Sequence, residues 1–289
     1  MRGRWGRCKG AGEHDGLVIA AALAGRCGKS LLARHQLKIY GRVGLAMSTP
    51  GNGSVTRAFD PEEIYPNSPL IEVVCEIRFP PDLSIDGRKH EFQQQIRDEY
   101  PNVWIPGRGD SETVLCRFED TYRTAGVLIG LDRMARYEKK YTGHKNFIRH
   151  FFKVVDVFKT VYKIKNLTRL GWRYINIIPF VRSDGLVPLE DFLKIKILLG
   201  ESCALPLRLD VTVESMAADG SLTTKLATLT QQGTGREVMV LDFDFSMTAN
   251  LQVSKLRSHV RHAHSVTRAT FETLITDQYR EFLRGEAGE

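Results

Sequence analysis

The 289-residue chain lacks any apolar run near the ~18 residues that a membrane-spanning helix needs, so a helical span is excluded. Cysteine is scarce. Of five, only Cys75, Cys116 and Cys203 follow residue 46, an odd number at wide spacing that fits neither a disulfide framework nor a zinc cluster. A reducing, cytosolic setting is expected. An excess of one charge is missing too, once the chain is divided. The formal +7 comes from 41 Lys+Arg against 34 Asp+Glu, but residues 1–46 hold nine basic residues against Glu13 and Asp15, leaving 32 of each sign in the remainder. Net charge therefore carries no case for nucleic-acid binding. There is no serine-centred elbow, no Cys–His pair that spacing would recommend and no carboxylate pair at a defined separation. Catalysis is unsupported, and no cofactor is indicated.

A phosphate-binding loop is nearly present and fails on spacing. "LAGRCGKSLL" (residues 23–32) offers Gly-Lys-Ser, but the required first glycine falls on Leu23, and Gly25 leaves the loop two residues short. "VMVLDFD" (238–244) imitates the partner strand, yet it sits in an expected antiparallel meander, where nucleotide sites of that class need a parallel sheet. Residues 1–46 are read as an extension outside the folded body, with Met47 as the native start and residues 47–67 as a polar lead-in. The competing secretory signal, Arg2, Arg4 and Arg7 ahead of "GLVIAAALA", is interrupted by Glu13 and Asp15.

What is present is patterning. "LIEVVCEIRF" (70–79) alternates apolar Ile71, Val73, Cys75, Ile77 and Phe79 with Glu72, Glu76 and Arg78, a half-buried strand. Phe92, Ile96 and Tyr100 place a short helix over residues 86–100, ended by Pro101. Three short strands follow, "ETVLCRF", "AGVLIGL" and "MARYEKKY", then a long helix carrying Phe147, Phe151, Val154, Phe158 and Val161. The order recurs: strand 167–180, short helix 188–199 with Pro188 in its first turn, and a three-strand meander of "LRLDVTVESM", "SLTTKLATLTQQ" and "EVMVLDFDFSM". A closing helix over roughly residues 252–284 carries Leu256, Val260, Ala263, Phe271, Leu274 and Phe282 inward. The expected fold is α+β, tandem βαβββα halves (68–166 and 167–289) with curved antiparallel sheets each packed on a long helix.

Pro69, Glu72, Arg78 and Phe79; Tyr100 and Pro101; Arg169, Gly171, Arg173, Tyr174, Ile175 and Asn176; Asp242 and Asp244; and Phe271, Ile275 and Thr276 resemble the motifs of a sporadically distributed bacterial family of unknown function. Ser68 departs from that pattern in place of a first proline, and Lys145 with Asn146 stands where a Trp-Glu pair is common. The resemblance spans residues 68–284 and implies no established activity. It implies an association with toxin–antitoxin or phage-defence loci.

Candidate chemistry lies on three surfaces. Glu72, Glu76, Arg78, Arg169 and Arg173 fall on the polar faces of the two leading strands; if those strands pair, they form either a binding groove for a peptide terminus or anion, or a structural ion-pair network. Asp210, Glu214, Asp242 and Asp244 alternate along the second meander, as Mg²⁺ ligands or as a solvated face. Between Arg136 and Arg169 stand ten Lys+Arg against Glu138 and Asp156, with Tyr137, Tyr141 and Tyr162 among them; Lys145, Arg149 and Lys153 are its candidate phosphate contacts, or simply a solvated helix face. His259, His262 and His264 read as solvated helix histidines. The leading expectation is a cytosolic, non-enzymatic protein that binds a protein partner. A nucleic-acid binder and a metal-dependent hydrolase are the alternatives, and the oligomeric state is left open.

Overall fold

Alternation makes "LIEVVCEIR" a strand with one apolar face, and the computed structural model of the chain forms it as β1 (Leu70–Arg78), with Val73, Cys75 and Ile77 buried. The structure describes residues 63–107, 114–195, 197, 208–217 and 219–286, all within the unit Asp60–Glu289. The expectations for residues 1–62, including the failed phosphate loop and the start at Met47, lie outside the described residues.

After β1 come α1 (Ser84–Gly87) and α2 (Lys89–Ile96), then β2 (Asn102–Trp104), β3 (Cys116–Glu119), β4 (Ala125–Gly130), β5 (Arg133–Glu138) and the long α3 (His144–Tyr162). Next follow β6 (Asn166–Pro179), the single turn α4 (Leu189–Phe192), β7 (Asp210–Ala217), β8 (Gly220–Thr230), β9 (Glu237–Gln252), α5 (Leu256–Leu274) and α6 (Asp277–Arg284). All nine strands join one antiparallel sheet in the order β2-β3-β4-β5-β1-β6-β9-β8-β7. The fold is α+β, with one continuous sheet in place of separate ones. Continuity comes from β1 and β6, which pair from Glu72–Ile175 to Arg78–Arg169 and again at Leu70–Asn176 beyond a bulge.

The helices cover one face of this sheet. Phe147, Phe151, Val154, Phe158 and Val161 of α3 are all buried; Phe158 meets Phe79 at 5.5 Å and Phe147 meets Trp172 at 5.2 Å. From α5, Phe271 faces Phe243 at 6.4 Å. Fully burying each such ring contributes about 1.5–3 kcal/mol, so the aromatic row of α3 fixes that helix on the sheet. Lys163 ends α3 in the left-handed region at φ 60°, its N–H bonded to the Lys159 carbonyl. Among the described residues no helix is long and apolar enough to cross a membrane.

Several elements differ from expectation. β2 was not foreseen, being three residues long without alternation. The helix expected over 188–199 is only Leu189–Phe192, with Pro188 ahead of it, and residues 196, 198 and 199 of its expected span lie outside the described residues. The expected closing helix is two. Ile275 turns extended because it bridges to Leu193, and Thr276 N–H bonds the Phe192 carbonyl. The Thr276 hydroxyl then accepts the Tyr279 N–H and starts α6. That change of axis turns Phe282 out to 51 % exposure and buries Tyr279 instead.

The end of the polar lead-in is part of the folded body. Tyr65 is buried with its hydroxyl 2.9 Å from both Glu272 carboxylate oxygens, Asn67 donates to the Phe282 carbonyl, and Arg284 pairs with Glu63 at 2.8 Å. The segment 63–67 is thus strapped across α5 and α6.

Candidate functional site

Side chains on the sheet face away from the helices follow from the register. Glu72, Val74, Glu76 and Arg78 of β1 stand opposite Ile175, Arg173, Gly171 and Arg169 of β6, and Asp242 and Asp244 of β9 stand opposite Ile175 and Arg173. The five charged residues singled out on the leading strands therefore meet at the middle of the sheet. Arg173 grips Asp242 with two parallel hydrogen bonds, Nε to Oδ1 at 2.8 Å and Nη2 to Oδ2 at 2.6 Å, the fork geometry in which guanidinium and carboxylate match best. Glu76 receives Arg78 Nε at 2.6 Å and Arg169 Nη1 at 2.9 Å on a single oxygen, Oε1. Asp244 lies 3.6 Å from Arg169 Nη2. Gly171 makes this possible: a Cβ there would stand 2.6 Å from Arg169 Nη1.

Glu72 has no such partner. Among the described residues it receives no hydrogen bond and makes no close ion pair, and burial pushes its carboxyl above the usual range against the opposing pull of Lys139 and Arg173. Burial raises Asp244 likewise, against Arg169 and Arg173. A carboxyl raised on folding carries no penalty at low pH, where both states are protonated, and loses stability as pH climbs through its titration. Glu72→Gln should therefore stabilise the protein at pH 7 by about 1 kcal/mol, raising the melting temperature by about 2–4 °C. The gain should vanish in melts near pH 4; an equal gain at both values would mean that charge is not the cause.

The four candidate metal ligands do not gather. Asp210 and Glu214 are on the edge strand β7, opposite Ala227 and Thr223, while Asp242 and Asp244 are on β9 with β8 between. They share a face but are two strand spacings, about 10 Å, apart. Lys225 stands between them and lies 3.4 Å from Asp210, and arginines engage both β9 aspartates. No group of three or more His, Cys, Asp or Glu among the described residues is placed to hold a metal ion.

The basic segment is less of a stripe than its sequence suggests. Arg136, Tyr137 and Tyr162 are buried, so the first cation and two of the three expected stacking aromatics are not on the surface. Lys153 bonds Glu99 at 2.7 Å and His150 reaches the same carboxylate at 2.5 Å. Against burial, those two contacts hold Glu99 below the usual carboxylate range. Arg149 donates to Asn146, and Lys145 is exposed at the start of α3.

Two features escaped the sequence patterns. Arg133, at the first position of β5, lies opposite Arg78 on the polar face; it immediately precedes the "MARYEKKY" run. His264 is buried rather than solvated, its ring stacked on His144 at 3.5 Å and its Nδ1 2.7 Å from the Tyr174 hydroxyl. Burial, with Arg261 and Lys145 nearby, lowers His144 to about 4, so the imidazole is neutral at pH 7. The adjoining cavity, between this pair and Tyr65, has a volume of about 30 Å³, room for about two water molecules.

No family model matches the chain, and no curated protein matches it.

Proposed function

We propose that the chain is a non-enzymatic interaction protein and that a protein partner docks on the polar sheet face around the β1–β6 seam. Glu72 carries this reading: a carboxylate with no hydrogen bond or close ion pair among the described residues is kept half-buried at mid-sheet, its burial opposed at longer range by Lys139 and Arg173, and this lowers stability in a way that structure alone does not require. The mixed signs of the face favour a protein, which brings both signs to an interface, over a polyanion. We read the segments 68–166 and 167–289 as two similarly ordered halves joined edge to edge through β1 and β6, so the docking face forms where they meet. Glu72, Arg78, Arg169, Gly171, Arg173, Asp242 and Asp244, which carry much of the family resemblance, share this face, and that resemblance supports a cytosolic role in a toxin–antitoxin or defence locus.

A photo-crosslinking residue at Thr248, exposed opposite Arg169, should yield a protein adduct in the native host. The adduct should disappear in the charge swap Arg173→Asp with Asp242→Arg, which keeps the internal pair but inverts the pattern offered to a partner. Nuclease-sensitive adducts from the same probe at Arg149, with none at Thr248, would hand the function to nucleic-acid binding.

A further inference from the structure

Three arginines stand abreast on the polar face. Arg133 of β5, Arg78 of β1 and Arg169 of β6 occupy one level of three adjacent strands, spaced about 4.8 Å apart, and like charges directly opposite one another destabilise a sheet. Three carboxylates, Glu76, Asp132 and Asp244, balance the three arginines in charge, Asp244 lying 3.6 Å from Arg169 Nη2, but they leave part of the hydrogen-bonding capacity unused. Glu76, one level along, accepts from Arg78 at 2.6 Å and Arg169 at 2.9 Å and lies 3.9 Å from Arg133. Asp132 takes Arg133 through Nε at 2.8 Å and Nη2 at 3.2 Å. Arg78 is left with both terminal nitrogens lacking a hydrogen-bond partner among the described residues, on a side chain 36 % exposed.

We infer that this row is a carboxylate-binding site, and that an aspartate or glutamate side chain of the docked partner enters it. The inference rests on the docking face proposed above. Arg78 offers a planar fork that a carboxylate satisfies with two parallel N–H···O bonds. Glu76 is already an internal example of the group the row accepts, bridging two of the three guanidiniums from within the chain. A single anionic group suits the site better than a chain of phosphates, because Asp242 and Asp244 on β9 would face the phosphates that follow.

The test uses the full chain and a hexaglutamate peptide labelled with an uncharged BODIPY dye, its C-terminus amidated, so that only side chains offer carboxylates. Anisotropy titration should show saturable binding, weakened about tenfold or more by Arg78→Ala and strengthened several-fold by Glu76→Gln, which removes the internal competitor while a thermal melt checks folding. Glutarate should displace the peptide at lower concentration than inorganic phosphate or a short single-stranded oligonucleotide. Binding indifferent to Arg78→Ala, binding weakened by Glu76→Gln in a folded protein, or displacement led by phosphate or oligonucleotide overturns the assignment. If Thr248 crosslinks a protein in the swap-sensitive way while the peptide result fails, only the carboxylate assignment falls. If the peptide binds as described but no such crosslink forms, the docking reading falls instead.

Discussion

Arg136→Ala should destabilise the protein by about 3–5 kcal/mol and lower its melting temperature by about 6–20 °C. Arg136 stands opposite the buried Cys75, on the face the helices cover, and is itself only 3 % exposed. Its guanidinium lies 4.6 Å from the centre of the Phe147 ring, donates from Nε to the Tyr100 hydroxyl at 3.2 Å and pairs with Glu138 at 2.9 Å. Taking two charges out of water is expensive, and the pair offsets that only while both members are present. Truncating Arg136 strands the Glu138 carboxylate, whose remaining side-chain hydrogen bonds among the described residues come from the Thr142 N–H and hydroxyl at 3.3 and 3.4 Å. The double variant Arg136→Met/Glu138→Leu should recover most of the loss. Urea unfolding of wild type, Arg136→Met, Glu138→Leu and the double variant measures the coupling; strictly additive losses would show that the pair does not act as a unit.

Glu272→Ala is expected to cost a similar amount, again about 3–5 kcal/mol, by a different route. This carboxylate is 4 % exposed and gathers Arg268 at 2.8 Å, Arg280 at 3.2 Å and the Tyr65 hydroxyl at 2.9 Å. It pushes the Tyr65 hydroxyl, already raised by burial, up to about 12. Removing it leaves two guanidiniums facing each other and frees the 63–67 strap from α5. Hydrogen exchange should then accelerate at the Asn67 N–H, whose acceptor is the Leu283 carbonyl, before the sheet itself opens. Unchanged protection at Asn67 in a destabilised protein would mean that the strap does not depend on Glu272.

Elements with a strong period were legible in the sequence. The alternation of β1 and β6 placed Glu72, Glu76, Arg78, Arg169 and Arg173 on one side, and the phenylalanine spacing of α3 named its buried face. What sequence could not supply is register between segments distant along the chain. Glu76 and Arg169 come within hydrogen-bond reach only because two strands nearly a hundred residues apart pair at one particular offset. The same gap hid Arg133, whose neighbour is set by the β1–β5 pairing. Arg136 misled because a charged residue reads as surface, although its own alternation with Met134 pointed inward. His264 misled for the same reason. The break at Ile275 has no glycine or proline to announce it; the cap at Thr276 was the one local sign, and the decisive contacts come from Leu193 and Phe192.

The placing of β1 also bears on how the chain is made. Residues 70–78 acquire one neighbour when 133–138 leave the ribosome, but their other edge stays uncovered until 166–179 follow. That newcomer is fourteen residues long and must itself wait for 237–252. During synthesis the middle of the sheet thus passes through two stages with a long unsatisfied backbone edge, a window in which a chaperone or a neighbouring nascent chain has something to hold.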